Sequence, residues 1–374
     1  MCYYILPKNY NNCIINPMIN NKNVPLYTSH SSYNYYNSSI ELLMDLCLHN
    51  REMSFETAST IINTHSFIFN KIPNINVSVS NCKYNTSTFY DFLEIVKTFN
   101  IFELSNNSIN VLVISKNIGH SVDFTDFFTK FHKNVNFDFI ENYDDSNLQI
   151  SLKYEIMFYD TNINNYDLNS YVLNLVNFLL CAFNCQEENG TSIIKIININ
   201  HKPIVDILFI LTSIYTDIYV IKPITNNILS LDRYVVCKGF IYNHKKIMLY
   251  SQYYHTLKKF YNNGVTNNNI QSIIENDISC FFTTKLNNMN ILIVQQQLET
   301  INFFINLFKN INRDEKMENI KKINIQKCVQ WCEKNKITCN KYFIKQNIFT
   351  SNTTCNFQKY NKPNYITINC DKYC

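Results

Sequence analysis

The chain has 374 residues, of which 46% are hydrophobic and 14% aromatic, and it carries a net charge of +4. This apolar content excludes a wholly disordered chain and supplies a core for one large domain or two modest ones. The mild positive charge permits a nucleic-acid partner without requiring one, because no long run of Lys or Arg forms a basic arm.

Composition also indicates where the protein works. Asn, Ile, Tyr, Phe and Lys have AT-rich codons, and their abundance indicates an AT-rich genome, such as that of a large DNA virus or a protist. The N-terminus lacks the features of a secretory signal, so we expect reduced thiols and a cytoplasmic protein, in the host cytoplasm or the virion if it is viral. The best apolar run, 204–221, is interrupted by Asp206 and Asp217, so no membrane span is expected.

The 14 cysteines are the candidate metal ligands. Cys328 and Cys332 lie one helical turn apart, Cys370 and Cys374 repeat this spacing, and Cys339 lies between the two pairs. This arrangement matches no zinc ribbon or finger, so we expect buried free thiols and no metal site.

Helices and strands are predicted to alternate through the middle of the chain. In chain order the predicted elements are an Asn- and Tyr-rich lead-in (1–35), one or two helices (39–69), a helix (86–99), a strand (109–115), a helix (122–132), two strands (135–142 and 154–160), a helix (169–185), a strand (190–199), a helix (202–215), two strands (217–223 and 232–240) and a mainly helical region (265–336). This alternation predicts an α/β fold with a Rossmann-like sheet. Because no helix separates the last two strands, the final strand should run antiparallel.

Four regions follow from this pattern. We predict an N-terminal lead-in with helices (1–84), an α/β domain (85–250), a helical C-terminal region (251–336) and an irregular tail (337–374). The helical region contains the only tryptophan, Trp331, which we expect to pack in the core, with a protein-partner surface as the alternative.

Charged residues fall at the predicted strand ends, where open α/β sheets bind their ligands. Asp160 closes the third strand, Lys195 lies in the fourth, Lys222 ends the fifth and Asp232 opens the sixth. Taken singly, each of these charges is as readily explained as a solvated strand end. Together, their order predicts a common site into which Asp232 points, while Arg233 points outward.

This order resembles the FtsJ-like ribose 2′-O-methyltransferases, over about residues 85–240. In that family an Asp closes a strand, Gly-Gly-Thr leads into a strand with a Lys, and Lys-Pro-x-x-Ser-Arg precedes a Glu and a Tyr at the last strand. The matching stretches here are "NGTSIIKI" (189–196) and "KPITNNILSLDRY" (222–234). Two of only four glycines, Gly119 and Gly190, fall where the family places glycine, for a tight turn or a close approach to a ligand.

The resemblance implies a methyltransferase domain at 85–250 that uses S-adenosylmethionine to methylate RNA, with the cap-adjacent nucleotide of mRNA as the expected target. It implies that Lys195 is the base that deprotonates the ribose 2′-hydroxyl, with Asp160 and Asp232 as its flanking acids. An acidic residue after the second strand, Glu141, would bind the ribose of the cofactor, although a solvated loop carboxylate explains it equally well. The implied cofactor contacts are Asn117, Gly119, Glu141 and Asp160, and the implied RNA contacts are Lys222, Asn226 and Asn227.

Three departures from the family pattern leave two hypotheses open. The loop after the first strand reads "KNIGH" (116–120), with one glycine where the family has two. Asp91 stands where the family has the first Lys of a catalytic tetrad, which removes a cation that would lower the pKa of the base. Asp232 replaces the family's Glu, and Asn226-Asn227 replaces Ser-Arg, which removes a phosphate contact.

The protein is therefore predicted to be an active RNA 2′-O-methyltransferase, or else an inactive methyltransferase-like subunit that binds RNA or a protein partner through its C-terminal helical region. A nucleotide-dependent Rossmann enzyme is a third alternative. The sequence argues against it, because it contains no G-x-G-x-x-G or P-loop motif.

Overall fold

The structure is a computed structural model. It describes residues 3–48, 54–73, 75–82, 86–102, 108–116, 125, 135–141, 143, 153–160, 167–197, 199–242, 244–264, 268–309 and 313–346. The predicted helix 122–132 lies outside the described residues except for residue 125, as do residues 347–374 of the predicted tail.

Strands and helices alternate through much of the described chain. In order they are β1 (Tyr3–Ile5), β2 (Ile15–Asn20), α1 (His30–Leu48), α2 (Phe55–Ile62), a short 3₁₀ helix (Ser66–Ile68), α3 (Ser87–Thr98), β3 (Ile109–Ser115), β4 (Val135–Ile140), β5 (Tyr154–Asp160), α4 (Leu168–Cys185), β6 (Gln186–Ile196), α5 (Lys202–Ile214), β7 (Tyr215–Ile221), β8 (Arg233–Phe240), α6 (His244–Asn263), β9 (Asn269–Ile274), α7 (Cys280–Phe308), α8 (Arg313–Lys334) and α9 (Lys341–Gln346).

The chain divides into two compact units, each assembled from three separate stretches. The first unit comprises Met1–Ser38, Ile101–Pro223 and Ser230–Leu298. The second comprises Ser39–Asn100, Ile224–Leu229 and Glu299–Cys374. The six-residue segment Ile224–Leu229 therefore belongs to the second unit, although the residues on both sides of it belong to the first.

The first unit is built on a seven-stranded sheet with the order β1-β7-β8-β6-β5-β3-β4. Strands β3 to β6 pair in parallel, β8 runs antiparallel to both β6 and β7, and β1 runs antiparallel to β7. The predicted α/β class is thus confirmed as a mixed α/β fold with a mixed sheet. The short connection between β7 and β8 joins antiparallel strands, as its length predicts.

Apolar runs form the central strands and the helices that cover them. Most residues of β3, β5 and β6 are buried, which is the pattern of strands covered on both faces. Asp167 caps the amino end of helix α4, because its carboxylate accepts a hydrogen bond from the Ser170 amide at 2.9 Å. Among the described helices, α4 alone has the length and hydropathy to cross a membrane, and 67% of this span is buried inside the fold, as in a core helix.

The sequence does not predict two parts of the first unit. Strands β1 and β2 lie in the stretch expected to be a lead-in, and β9 lies in the region expected to be mainly helical. Strands β2 and β9 form a separate antiparallel pair. Asp206 of α5, buried and ion-paired with Lys202, accepts a hydrogen bond from the Ile273 amide of β9 at 2.8 Å. This carboxylate links the small sheet to α5.

The second unit is helical. Ser54 caps the amino end of helix α2, because its hydroxyl accepts a hydrogen bond from the Thr57 amide at 3.2 Å. Trp331 of α8 is 4% exposed, as expected for a core residue, and its ring centroid lies 5.9 Å from that of Tyr90 on α3. Helix α9 lies in the stretch predicted to be an irregular tail.

Candidate active site

Neighbouring strands bring the predicted catalytic residues to one row of the first unit's sheet. Asp160, the last residue of β5, pairs with Ser115 of β3 on one side and with Lys195 of β6 on the other. Lys195 in turn pairs with Tyr234 of β8. Directly opposed residues present their side chains to the same face, and Asp232, two residues before Tyr234, returns to that face. The strand register thus gathers residues that are far apart in the sequence.

Lys195 lies between two carboxylates. Its Nζ is 3.8 Å from Asp160 Oδ1 and 3.6 Å from Asp232 Oδ2. The Asp160 side chain is fully buried, whereas the side chains of Lys195 and Asp232 are 14% and 24% exposed. The Lys195 amine can therefore be reached from solvent, and the buried Asp160 carboxylate forms an ion pair with it on the side that faces the core. The structure brings all three predicted catalytic residues together.

The main chain beside Asp232 is held by two side chains outside the predicted catalytic group. Lys222 Nζ donates hydrogen bonds to the carbonyl oxygens of Ser230, at 3.0 Å, and Asp232, at 2.8 Å. Gln297 of α7 also donates to the Ser230 carbonyl, at 2.8 Å. Lys222, which we predicted as an RNA contact, thus directs its ammonium group at the segment that enters β8. Its position at the start of the connection from β7 to β8, ten residues before Asp232, is the signal that could have indicated this role.

Two buried residues lie next to Asp232. Burial raises the pKa of Tyr36, and the Asp232 carboxylate raises it further, so Tyr36 is a neutral phenol. Arg233 is 4% exposed, so the expectation that it points outward is wrong. β8 lies between β6 and β7 in the sheet, and the Arg233 guanidinium donates a hydrogen bond to Asn290 of α7. Burial lowers the pKa of Arg233 to about 10.

Asp91, at the position of the expected lysine, lies in the second unit on α3 and is 1% exposed. Its carboxylate accepts hydrogen bonds from Thr225 Oγ1 at 2.5 Å and from Asn226 Nδ2 at 2.8 Å. Glu94, one helical turn further on, has an oxygen 3.4 Å from the same hydroxyl. Burial, followed by repulsion from Asp91, raises the pKa of Glu94 to about 7. A pair of carboxylates on α3 therefore binds the segment that follows Pro223.

Asn226 and Asn227, the other predicted RNA contacts, differ in exposure. Asn226 is 6% exposed, and its side-chain amide donates a hydrogen bond to Asp91. Because it is buried, Asn226 is not accessible to RNA. Asn227 is exposed, and its side-chain oxygen accepts hydrogen bonds from Asn63 at 2.9 Å and from the Leu229 amide at 2.8 Å. We keep Asn227 as a candidate RNA contact and drop Asn226.

The predicted cofactor contacts are described only in part. Asn117 and Gly119 lie outside the described residues. Glu141 is exposed directly after β4, and Asp160 ends β5. Since β3 to β6 are parallel, both carboxylates lie at the carboxyl edge of the strands, where a ligand of this kind of sheet would bind.

Gly190 lies in β6, five residues before Lys195. A Cβ atom there would lie 2.8 Å from the Glu187 carbonyl oxygen and 3.0 Å from the Glu155 carbonyl oxygen, and it would also overlap the Gln186 side-chain nitrogen. Close packing within the strand therefore requires this glycine, and its distance from the catalytic row argues against the expected role near a ligand.

Comparisons with known proteins give no family. No family model and no curated protein matches the chain. Among solved structures, a protein described as "Putative hemolysin" from Streptococcus thermophilus matches with 10% identity and a TM-score of 0.27, over 49% of this chain and 77% of that chain. A likeness of this size bears on neither fold nor function.

Proposed function

We propose that this protein is an S-adenosylmethionine-dependent RNA ribose 2′-O-methyltransferase, with the cap-adjacent nucleotide of mRNA as its expected target. One observation carries the proposal. Lys195, partly exposed, lies between Asp160 and Asp232 at the carboxyl edge of the parallel strands, with its Nζ less than 4 Å from both carboxylates. In its neutral form this amine can accept a proton from a substrate hydroxyl, and the two carboxylates stabilise the ammonium ion that results.

The sheet supports a Rossmann-like interpretation of the fold. With β1 and the antiparallel β8 set aside, the remaining order is β4-β3-β5-β6-β7. Along the chain, β4 is added on one side of β3, and β5 to β7 are added on the other. Such a reversal is a topological switch point, where open α/β sheets bind their ligands. Here it lies between β3 and β5, beside the paired residues Ser115 and Asp160.

The described residues fit S-adenosylmethionine by their chemistry. The cofactor carries a cationic sulfur, an amino group and ribose hydroxyls, and the edge of the sheet next to the switch point carries Glu141 and Asp160. We propose that Glu141 holds the ribose hydroxyls and that Asp160 faces the methionine part, with Asn117 and Gly119, which follow β3 in the sequence and lie outside the described residues, as further contacts. When bound, the cofactor supplies an electrophilic methyl group.

The chain's own residues would handle the proton. The 2′-hydroxyl of ribose is a weak acid, so it must lose its proton to act as a nucleophile. Lys195 Nζ would accept that proton, while Asp160 and Asp232 orient the amine and balance the charge of the ammonium ion. The hydrogen bonds of Lys222 to the Ser230 and Asp232 carbonyls would keep Asp232 in place.

A second candidate is an inactive subunit of the same fold that binds RNA or a protein partner. Its support is Asp91, a buried carboxylate at the position where the family has a catalytic lysine. Without that cation, two carboxylates flank Lys195 and stabilise its ammonium form. The inactive protein would bind RNA without transferring a methyl group.

The test is methyl transfer from radiolabelled S-adenosylmethionine to capped RNA, followed by nuclease digestion to locate the label. We expect label on the ribose of the first transcribed nucleotide, and none when that nucleotide is already 2′-O-methylated or 2′-deoxy. Calorimetric titration with S-adenosylmethionine and S-adenosylhomocysteine accompanies the assay. The enzyme proposal would fail if neither compound bound and no label was transferred, and RNA binding under these conditions would favour the inactive subunit.

A further inference from the structure

A turn at the end of α8 brings two cysteines of the second unit together. After α8 ends, Lys336 adopts a left-handed backbone with φ of 54°, and the Ile337 amide donates to the Cys332 carbonyl at 2.8 Å. This is the hydrogen bond that closes a helix whose chain turns back on itself. Cys339 then pairs with Ser80 in an isolated antiparallel bridge. The turn returns the chain toward the end of α8, and the Cys332 and Cys339 thiols are close enough for each to shift the pKa of the other.

The two thiols differ in access and in acidity. Cys332 is buried, whereas Cys339 is partly exposed. The hydrogen bond between them lowers the pKa of Cys339, and it raises the pKa of Cys332, which burial raises further. The accessible thiol is therefore the one that ionises more readily, and the thiolate is the form that attacks disulfides.

A metal centre does not explain this pair. Cys328 and Cys82 are also near enough to raise the pKa of Cys332. However, the part of the chain that the structure describes contains no group of three or more His, Cys, Asp or Glu residues that could hold a metal ion. Cys332 and Cys339 therefore form a two-thiol site.

We propose that Cys332 and Cys339 form a reversible disulfide by exchange with a small-molecule disulfide such as oxidised glutathione. The Cys339 thiolate attacks one glutathione sulfur, forms a mixed disulfide and releases one glutathione thiolate. Cys332 then loses its proton and attacks Cys339 Sγ, which forms the protein disulfide and releases the second glutathione. Two protein thiols are oxidised and one glutathione disulfide is reduced to two thiols. The bond would tie the end of α8 to the segment that pairs with Ser80.

Other cysteines of the chain provide internal controls. Cys181 and Cys185 also make a thiol–thiol hydrogen bond, but both are buried and they belong to one helix, α4. A small disulfide cannot reach them in the folded protein. Cys280 is exposed and should take up glutathione as an accessible reference thiol.

The experiment exposes the reduced full-length protein to oxidised glutathione, blocks the remaining thiols with an alkylating agent and maps tryptic peptides by mass spectrometry. We expect a disulfide between peptides 328–334 and 337–341, and its loss when a reductant is added. Cys328→Ser keeps this link and so assigns it to Cys332. Cys332→Ser abolishes it and leaves Cys339 as a stable mixed disulfide. Cys181 and Cys185 should be modified only after urea unfolds the protein.

Two results would overturn the proposal. One is stable glutathionylation of Cys339 in the wild type with Cys332 still reduced, and the other is a link that Cys328→Ser abolishes. If Cys332→Ser fails to fold, Cys339→Ser provides the equivalent test, because Cys332 should then remain reduced. Since the pair lies in the second unit, this inference does not depend on the proposed methyl transfer.

Discussion

Replacing Glu94 with Gln should stabilise the protein at alkaline pH and not at acidic pH. In the folded chain, burial and the neighbouring Asp91 raise the pKa of Glu94 from 4.5 to about 7. The folded state therefore binds this proton more tightly than the unfolded state does, and the free energy of unfolding falls as the pH rises from 4.5 to 7. A change of this size corresponds to about 3 kcal/mol. Glutamine cannot ionise, so Glu94→Gln avoids the loss.

The assay is urea denaturation of wild type and variant at pH 5 and pH 8. The advantage of Glu94→Gln over the wild type should grow by about 2.5 kcal/mol across this interval, because Glu94 of the unfolded chain is already largely ionised at pH 5. Gln can still accept the hydrogen bonds from the Ile224 and Thr225 amides. Glu41→Gln, on an exposed position of α1, is the matched control and should change stability by less than about 0.5 kcal/mol. An equal effect of Glu94→Gln at both pH values would refute the buried-carboxylate argument.

Two further substitutions test the site and the sheet. Lys222→Met removes the hydrogen bonds to the Ser230 and Asp232 carbonyls, so kcat for methyl transfer should fall roughly tenfold with little change in RNA affinity; a loss of affinity alone would indicate an RNA contact instead. Gly190→Ala places a methyl group 2.8 Å from the Glu187 carbonyl oxygen, so urea denaturation should show that the free energy of unfolding falls by about 2 kcal/mol, whereas unchanged stability would mean that the strand opens freely at this point.

The centre of the sheet could be predicted from the sequence because its signals are local. A run rich in β-branched residues marks β3, a run rich in aromatic and other apolar residues marks β5, and the predicted bounds agree with the structure at both strands. The apolar stretch of α4 is long enough to be distinguished from a strand, and the brief connection before β8 indicates its direction. A sheet of parallel strands then brings charged strand ends together, which is why the grouping of Asp160, Lys195 and Asp232 could be predicted.

The parts that could not be predicted depend on contacts between distant residues. β1 has three residues, and its partner β7 (Tyr215–Ile221) lies far from it in the sequence, so no local pattern marks it. Arg233 looks like a surface residue until β8 is placed between two strands. The burial of Asn226 depends on Asp91 of α3, far from it in the sequence and without a motif to connect them.

The central claim is that Lys195 accepts the proton from the ribose hydroxyl, and the rate of methyl transfer by Lys195→Met tests it most directly. The matched control is Lys259→Met, which changes an exposed lysine of α6. We predict that Lys195→Met transfers no detectable methyl group to capped RNA while its affinity for S-adenosylmethionine stays within about threefold of the wild type, and that Lys259→Met keeps the wild-type rate. Transfer by Lys195→Met at the wild-type rate would contradict the account.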